Sequence, residues 1–360
     1  MIKDVIMHYR YKSREALPVM TKTTAIVHVR PQELAQKDAR PQVPAIVEAA
    51  GGNARFAYDE FFAGEENTHT ERAYRHAVHR FLSHCEGLGV PLQQVTPGVV
   101  SDYLKNLRAE VKTRSGEQPQ SKPASKPTKK LHLAGIRKFF DKAVERHAIM
   151  LNPAASVRGP RHSVTEGKTP ALDVKQARHL LASIDTSDVV GLRDRALIAT
   201  LIYTAARVGA VSKLTRDGFF SDGRQFFFRL DEKGGKQRTI PARHDLQEYV
   251  EQFLTAAGDA DGGTPLFRSA VRRTKTLSPK GMTENDVLRM VKRRLVGAGL
   301  SPRQFKCHSF RASTATNLLD QGVELADVQY LLGHADPRTT KLYDRRKLAV
   351  TRNIVERIGI

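Results

Sequence analysis

The chain has 360 residues, 40% of them hydrophobic, which suits about two globular domains of ordinary size. Lysine and arginine total 59 against 38 aspartates and glutamates, a formal net charge of +21 that points to a polyanionic partner: DNA, RNA or an anionic membrane surface. The membrane is the poorest of the three, because the longest clean apolar run, Ala196 to Ala206, is about eleven residues against the ~20 of a bilayer span, and Met1-Ile2-Lys3-Asp4 does not open a secretory signal.

Residues 1–65 show weak periodicity and scattered prolines (Pro18, Pro31, Pro41, Pro44), so they read as an N-terminal extension, partly disordered. A helical unit is expected over 66–157. Its first helix follows the capping-box pattern Thr68-x-x-Glu71 and buries Tyr74, Ala77, Val78, Phe81, Leu82 and Cys85 at spacings of three and four. Cys85 thus reads as packing. Cys85 and Cys307 form no metal-binding pair and suit a reducing cytoplasm. Thr96-Pro97 caps a second helix with Val99, Val100, Tyr103, Leu104, Leu107 and Val111 inward. Residues 115–130, rich in Ser, Pro, Gln and Lys, read as a flexible basic loop. A third helix starts near Thr128. It turns Leu133, Ile136, Phe140, Ala143 and Val144 inward and Lys130, Arg137, Lys138 and Arg146 outward, and Asn152-Pro153 ends the unit.

Residues 158–172, basic and punctuated by Gly and Pro, read as a linker. The second unit, 173–360, mixes helices with short strands. Asp194 to Ala206 is apolar on most faces and therefore central. Strand signals at Phe219-Phe220, Gln225 to Leu230 and Arg238 to Pro241 are separated by turns at Asp222-Gly223 and Lys233-Gly234-Gly235-Lys236. Helices resume near 244–256, 284–298, 309–321 and 324–332. On the helix 284–298, Arg289, Lys292, Arg293 and Arg294 read as either a solvated face or a groove-facing one. Apolar Ile354, Val355, Ile358 and Ile360 in the C-terminal tail must bury somewhere, in cis or on a neighbour.

Two strings near the end carry chemistry: His308-Ser309-Phe310-Arg311, and Leu331-Leu332-Gly333-His334 followed by Thr339-Thr340-Lys341-Leu342-Tyr343. With Arg207 and Lys233 they supply two arginines, two histidines and a lysine, enough charge-assisted donors to surround one phosphodiester, and a tyrosine that can attack phosphorus. Each residue has a plainer reading. Tyr343 alone would be packing, His308 a helix cap, Arg207 half of a structural ion pair, and Lys233 part of a solvated turn. The hairpin is not a phosphate loop, because Gln237 stands where the Walker motif needs Ser or Thr.

The six residues, in this order and context, resemble the tyrosine recombinases, the family of phage integrases, Cre and the Xer proteins. The resemblance runs over roughly residues 65–350. It implies a mainly α fold: a helical, SAM-like core-binding domain, then an α-rich catalytic domain with a small antiparallel β-sheet, the two forming a C-shaped clamp on DNA. It implies site-specific recombination through a 3′-phosphotyrosine intermediate and a Holliday junction. Tyr343 is then the nucleophile. His308 helps to take its proton, Lys233 (chosen over Lys236) protonates the leaving 5′ oxygen, and Arg207, Arg311 and His334 stabilise the phosphorane. No metal or cofactor is implied. The implied partners are double-stranded recombination sites, a homotetramer on them, and accessory DNA-bending proteins. The setting is cytoplasmic and nucleoid-associated, and integration or excision of a mobile element is the expected role. Lys130, Arg137, Lys138, Arg289, Lys292 and Arg293 are candidate DNA contacts. One departure stands out: the glutamate that usually follows the first arginine by three positions is here Ala210. A type IB topoisomerase and a non-catalytic DNA-binding regulator on the same scaffold are the alternatives.

Overall fold

A computed structural model describes residues 43–64, 68–111, 120–162, 167–232, 235–258, 260–272 and 274–344. Lys233 and the tail residues Ile354 to Ile360 lie outside the described residues, as do residues 115–119 of the segment read as a flexible loop; the rest of that segment forms a strand, Gln120–Pro123, and the start of a helix at Lys126. The chain is mainly helical with small antiparallel sheets, and it divides into two units between residues 162 and 163.

The first unit contains α1 (Ala45–Ala49), α2 (Gly52–Ala63), α3 (Thr68–Gly87), α4 (Pro97–Asn106), the hairpin β1 (Arg108–Val111) with β2 (Gln120–Pro123), and α5 (Lys126–Glu145). Helix α4 starts where Thr96 accepts from the Val99 N–H and Pro97 needs no partner. Helix α5 starts two residues before the expected Thr128, with Ser125 accepting from the Thr128 N–H. Helix α5 packs on α2 and α3.

The core is aromatic: Tyr58, Phe61, Phe62, Phe81, Phe139 and Phe140 are all buried, several in edge-to-face pairs. This corrects the reading of 1–65 as one extension. Residues 45–49 and 52–63 are helical, and Tyr58, Phe61 and Phe62 of α2 form part of the core. Inside the same unit, His132 is buried against the Tyr103 hydroxyl at 2.8 Å, and burial first, then Arg80 and His76, lower its pKa to about 4.

The second unit runs α6 (Val174–Ala182), α7 (Val189–Tyr203), α8 (Val208–Ser212), a three-stranded sheet β3 (Phe219–Ser221), β4 (Phe226–Asp231), β5 (Gln237–Pro241), then α9 (His244–Ala257), the hairpin β6 (Arg268–Ala270) with β7 (Leu277–Gly281), α10 (Glu284–Gly297), α11 (Cys307–Asp320), α12 (Leu325–Leu332) and α13 (Pro337–Lys341). Asp173 and Gln176 cap α6 reciprocally. Helix α7 is central as expected, with Ala196, Leu197, Ile198, Ala199 and Thr200 all fully buried and α9 and α11 packed around it. Its Asp194 is fully buried and accepts from Arg193 at 2.6 Å and Arg294 at 2.9 Å, with Arg293 at 3.2 Å. A carboxylate without those partners would be too costly to bury, so α10 is pinned to α7 by charge as well as by Val287, Val291 and Leu295.

Candidate active site

The site is built where α7 ends. Thr204 turns its hydroxyl back to the Thr200 carbonyl at 2.6 Å, and Ala205 takes φ 49°, a left-handed conformation that costs an alanine about 1 kcal/mol. That turn aims the Ala205 carbonyl inward and makes Arg207 the residue before α8. Helix α11 brings His308 and Arg311 on its first turns, set by Ser309 accepting from the Lys306 N–H at 3.1 Å. Helix α12 ends at Gly333, whose φ of 61° is the left-handed cap that glycine adopts without strain, and the chain turns into His334. Pro337 starts α13 behind the Asp336 cap. Tyr343 lies two residues beyond that helix, in a turn, and not on the helix itself.

Arg311 holds these elements together. It is 1% exposed and donates to the Ala205 carbonyl at 2.6 Å, to the Leu332 carbonyl at 2.5 Å and to His334 Nε2 at 2.8 Å. An arginine only donates, so His334 Nε2 accepts, and the ring proton sits on Nδ1, which donates to Thr340 Oγ1 at 2.9 Å. His334 is thus neutral. Burial first, then Arg311 and Arg207, push its pKa down to about 4. In this state it cannot donate through Nε2, so the donor role expected from the sequence requires Arg311 to release that nitrogen. Burial and then Arg207 push Arg311 down to about 10, which leaves it charged at neutral pH.

Tyr343 is 6% exposed, and its hydroxyl lies 3.1 Å from His308 Nε2. Its ring stacks on His334 with centroids 6.0 Å apart and planes at 5°. His308 keeps accessible surface, yet desolvation by its surroundings, then Arg311 and Arg207, lower its pKa. A neutral His308 beside the phenol can accept its proton.

Arg207 stands at the edge of this cluster with 41% of its side chain exposed, in an ion pair with Glu232. Sequence reasoning missed Glu232. Its side chain is only 4% exposed, and it also pairs with Arg238, whose Nε donates to it at 3.1 Å. Three guanidiniums, Arg207, Arg238 and Arg311, against one carboxylate leave two net positive charges among the described residues, the charge a pentacoordinate phosphorane would need. The structure therefore brings together Arg207, His308, Arg311, His334 and Tyr343. Lys236 lines a cleft of ≈ 550 Å³ beside Gly333 and His334.

The candidate DNA contacts fare unevenly. Arg137 is half-buried and donates to the Ala154 carbonyl at 3.0 Å and to that of Val157, so it serves the fold and does not face outward as expected. Arg289 pairs with Asp286, and Arg293 with Asp194 while 61% of its side chain stays exposed. Lys130, Lys138 and Lys292 are exposed, with the Lys138 amine 5.7 Å from the Tyr74 ring centre. Among the described residues no helix is long and apolar enough to cross a membrane.

Residues 170–348 match the model of the phage integrase family. The chain is 28% identical to the tyrosine recombinase XerD of Xanthomonas axonopodis pv. citri (strain 306) over 284 residues, 76% of this chain and 86% of that one. It is 30% identical to the XerD of Listeria innocua serovar 6a over 220 residues, 59% of this chain and 69% of that one. Its fold is that of the XerH site-specific recombinase seen bound to palindromic difH substrate in a post-cleavage complex, with a TM-score of 0.60 at 18% identity over 77% of this chain and 76% of that one.

Proposed function

The chain belongs to the phage integrase family of tyrosine recombinases and is a tyrosine-type site-specific recombinase, and from that premise we propose how its own residues cut and rejoin DNA. Tyr343 Oη attacks the scissile phosphorus while its proton passes to His308 Nε2. The bond from phosphorus to the 5′ oxygen breaks, and that oxygen takes a proton from Lys233. The products are a 3′-phosphotyrosyl link and a free 5′-hydroxyl. The link keeps the energy of the broken bond, so a 5′-hydroxyl from the partner duplex reverses the step without ATP. Arg207, Arg311 and His334 stabilise the phosphorane through its non-bridging oxygens.

The observation that carries this reading is the 3.1 Å approach of the Tyr343 hydroxyl to His308 beside a buried arginine. The test is the chemistry of the ends. Plasmid DNA trapped with the protein in denaturant should carry protein on its 3′ ends, and its 5′ ends should accept phosphate from a kinase without prior phosphatase treatment. Protein on the 5′ ends would overturn the assignment.

The full reaction, in this proposal, runs through a Holliday junction held by four copies on two DNA sites. Lys130, Lys138, Arg289, Lys292 and Arg293 contact the DNA backbone, and accessory DNA-bending proteins assist. We assign the protein to integration and excision of a mobile element, supported by the long segment ahead of the core-binding unit. Resolution of chromosome dimers is the second reading, favoured by the similarity to XerD. Mapping trapped protein across the cell's DNA separates them: element ends support the first, a single replicon site the second.

A further inference from the structure

Position 210, one turn beyond Arg207, carries an alanine that is 4% exposed, so no carboxylate reaches Arg207 from its own helix. The carboxylate that does reach it comes from the residue after β4. Glu232 lies 25 residues away at the tip of the β4–β5 hairpin, where its N–H donates to the Lys236 carbonyl at 2.7 Å. It is not a surface ion pair: its side chain is 4% exposed, and its two oxygens are shared between two arginines, Oε2 with Arg207 and Oε1 with Arg238. Arg238 in turn donates to the Leu331 carbonyl, two residues before Gly333. The fit is close. A Cβ at Gly333 would stand 3.0 Å from Arg238 Cδ and 3.3 Å from Glu232 Oε2, so the backbone leading into His334 rests on this ion pair.

We propose that Glu232 is the positioning carboxylate of this site, aiming Arg207 from the hairpin and locking Arg238 against the turn that carries His334. Two guanidiniums this close to Arg311 repel one another, and a flexible arginine with no anchor would sample many rotamers before meeting a phosphate. Glu232 neutralises one charge and fixes one geometry. It also directly precedes Lys233, the proposed general acid, in the chain. The inference rests on the recombinase reading and deepens it. Glu232 touches no DNA in this account; it acts through Arg207 and Arg238.

The probe is a nicked duplex, enriched from a random-sequence pool by covalent trapping with the wild-type protein. Affinity is read by fluorescence anisotropy and cleavage by single-turnover adduct formation. Glu232→Gln should bind the duplex within about twofold of wild type and cleave it about 10²-fold more slowly, the scale of a misplaced catalytic group. Glu232→Asp should recover part of the loss. In an Arg207→Ala background, followed over hours, adding Glu232→Gln should cost less than about threefold more, because the residue it positions is already gone. Melting temperatures of each variant separate lost fold from lost positioning. Wild-type cleavage by Glu232→Gln overturns the proposal. So does faster cleavage, which would mean that the carboxylate blocks Arg207, and so does a loss that multiplies in full on Arg207→Ala. If the wild-type protein traps no duplex at all, the recombinase reading falls and this inference with it.

Discussion

The backbone N–H of Gly167 donates to the carbonyl of Leu342 at 2.9 Å, one residue before Tyr343. The segment read in sequence as a linker therefore holds the turn that carries the nucleophile. A Cβ at 167 would stand 2.3 Å from that carbonyl oxygen, far inside contact distance and against backbone that cannot swing aside.

Gly167→Ala should consequently displace Tyr343 from His308 and leave the arginines in place. DNA binding should stay near wild type while single-turnover cleavage falls by about 10²-fold. Unchanged cleavage in Gly167→Ala would show that the nucleophile does not depend on this contact.

The boundary at the N-terminal side also has a consequence. Tyr58, Phe61 and Phe62 bury their rings against Phe139 and His79. A protein truncated after residue 65 should lose the cooperative melting of its first unit, since removing even one such ring costs roughly 3–5 kcal/mol. A truncation ending before residue 43 keeps these rings. If both truncations melt alike, α2 is not part of that core.

How much of this was readable in the sequence depended on how local the signal was. His308, Arg311, His334 and Tyr343 sit in short strings, and the helices around them show clear apolar spacing. Helix α2 was readable as well, because Ala54, Tyr58, Phe61 and Phe62 follow helical spacing. The prolines before it drew the reading toward an extension. The hairpin β6–β7 was not readable: its strands carry no alternating apolar pattern and are half-exposed. Glu232 gave no local signal at all. Its meaning comes from burial between arginines brought together by the fold, and a carboxylate in a charged Gly-rich turn looks like solvent-facing sequence. Arg137 failed in the opposite sense, since a basic residue on an apparent outer helix face is spent on the carbonyls of Ala154 and Val157.

The histidines set the response to pH. His132 in the first unit and His334 in the second are each held near 4, below an unfolded value of about 6.5. A depressed histidine pKa means that the unfolded chain binds protons first. Both units should therefore keep full stability above about pH 6.5 and lose it progressively as pH falls from there toward 4. His132→Gln, which keeps an acceptor for Tyr103, should flatten that loss for the first unit. Melting temperatures of the first unit that fall equally in the variant would place the titration elsewhere.

The general acid is open to a direct substitution test. Lys233→Ala should cleave an ordinary phosphodiester slowly, and a duplex with sulfur at the 5′ bridging position should restore much of the rate, because a thiolate leaves without a proton. Arg207→Ala should gain little from the same sulfur, since its lost contact is to non-bridging oxygens. Rescue of Lys236→Ala in place of Lys233→Ala would move the general acid three residues along the hairpin.

The central claim is that Tyr343 forms the covalent bond to DNA. The most direct measurement compares wild type with Tyr343→Phe on a nicked duplex, reading affinity by anisotropy and denaturant-resistant adduct on a gel. Only the attacking oxygen is removed, and the ring that stacks on His334 remains. Wild type should give adduct, and Tyr343→Phe should bind equally well and give none. Adduct at wild-type level from Tyr343→Phe would contradict the account and place the nucleophile elsewhere in the chain.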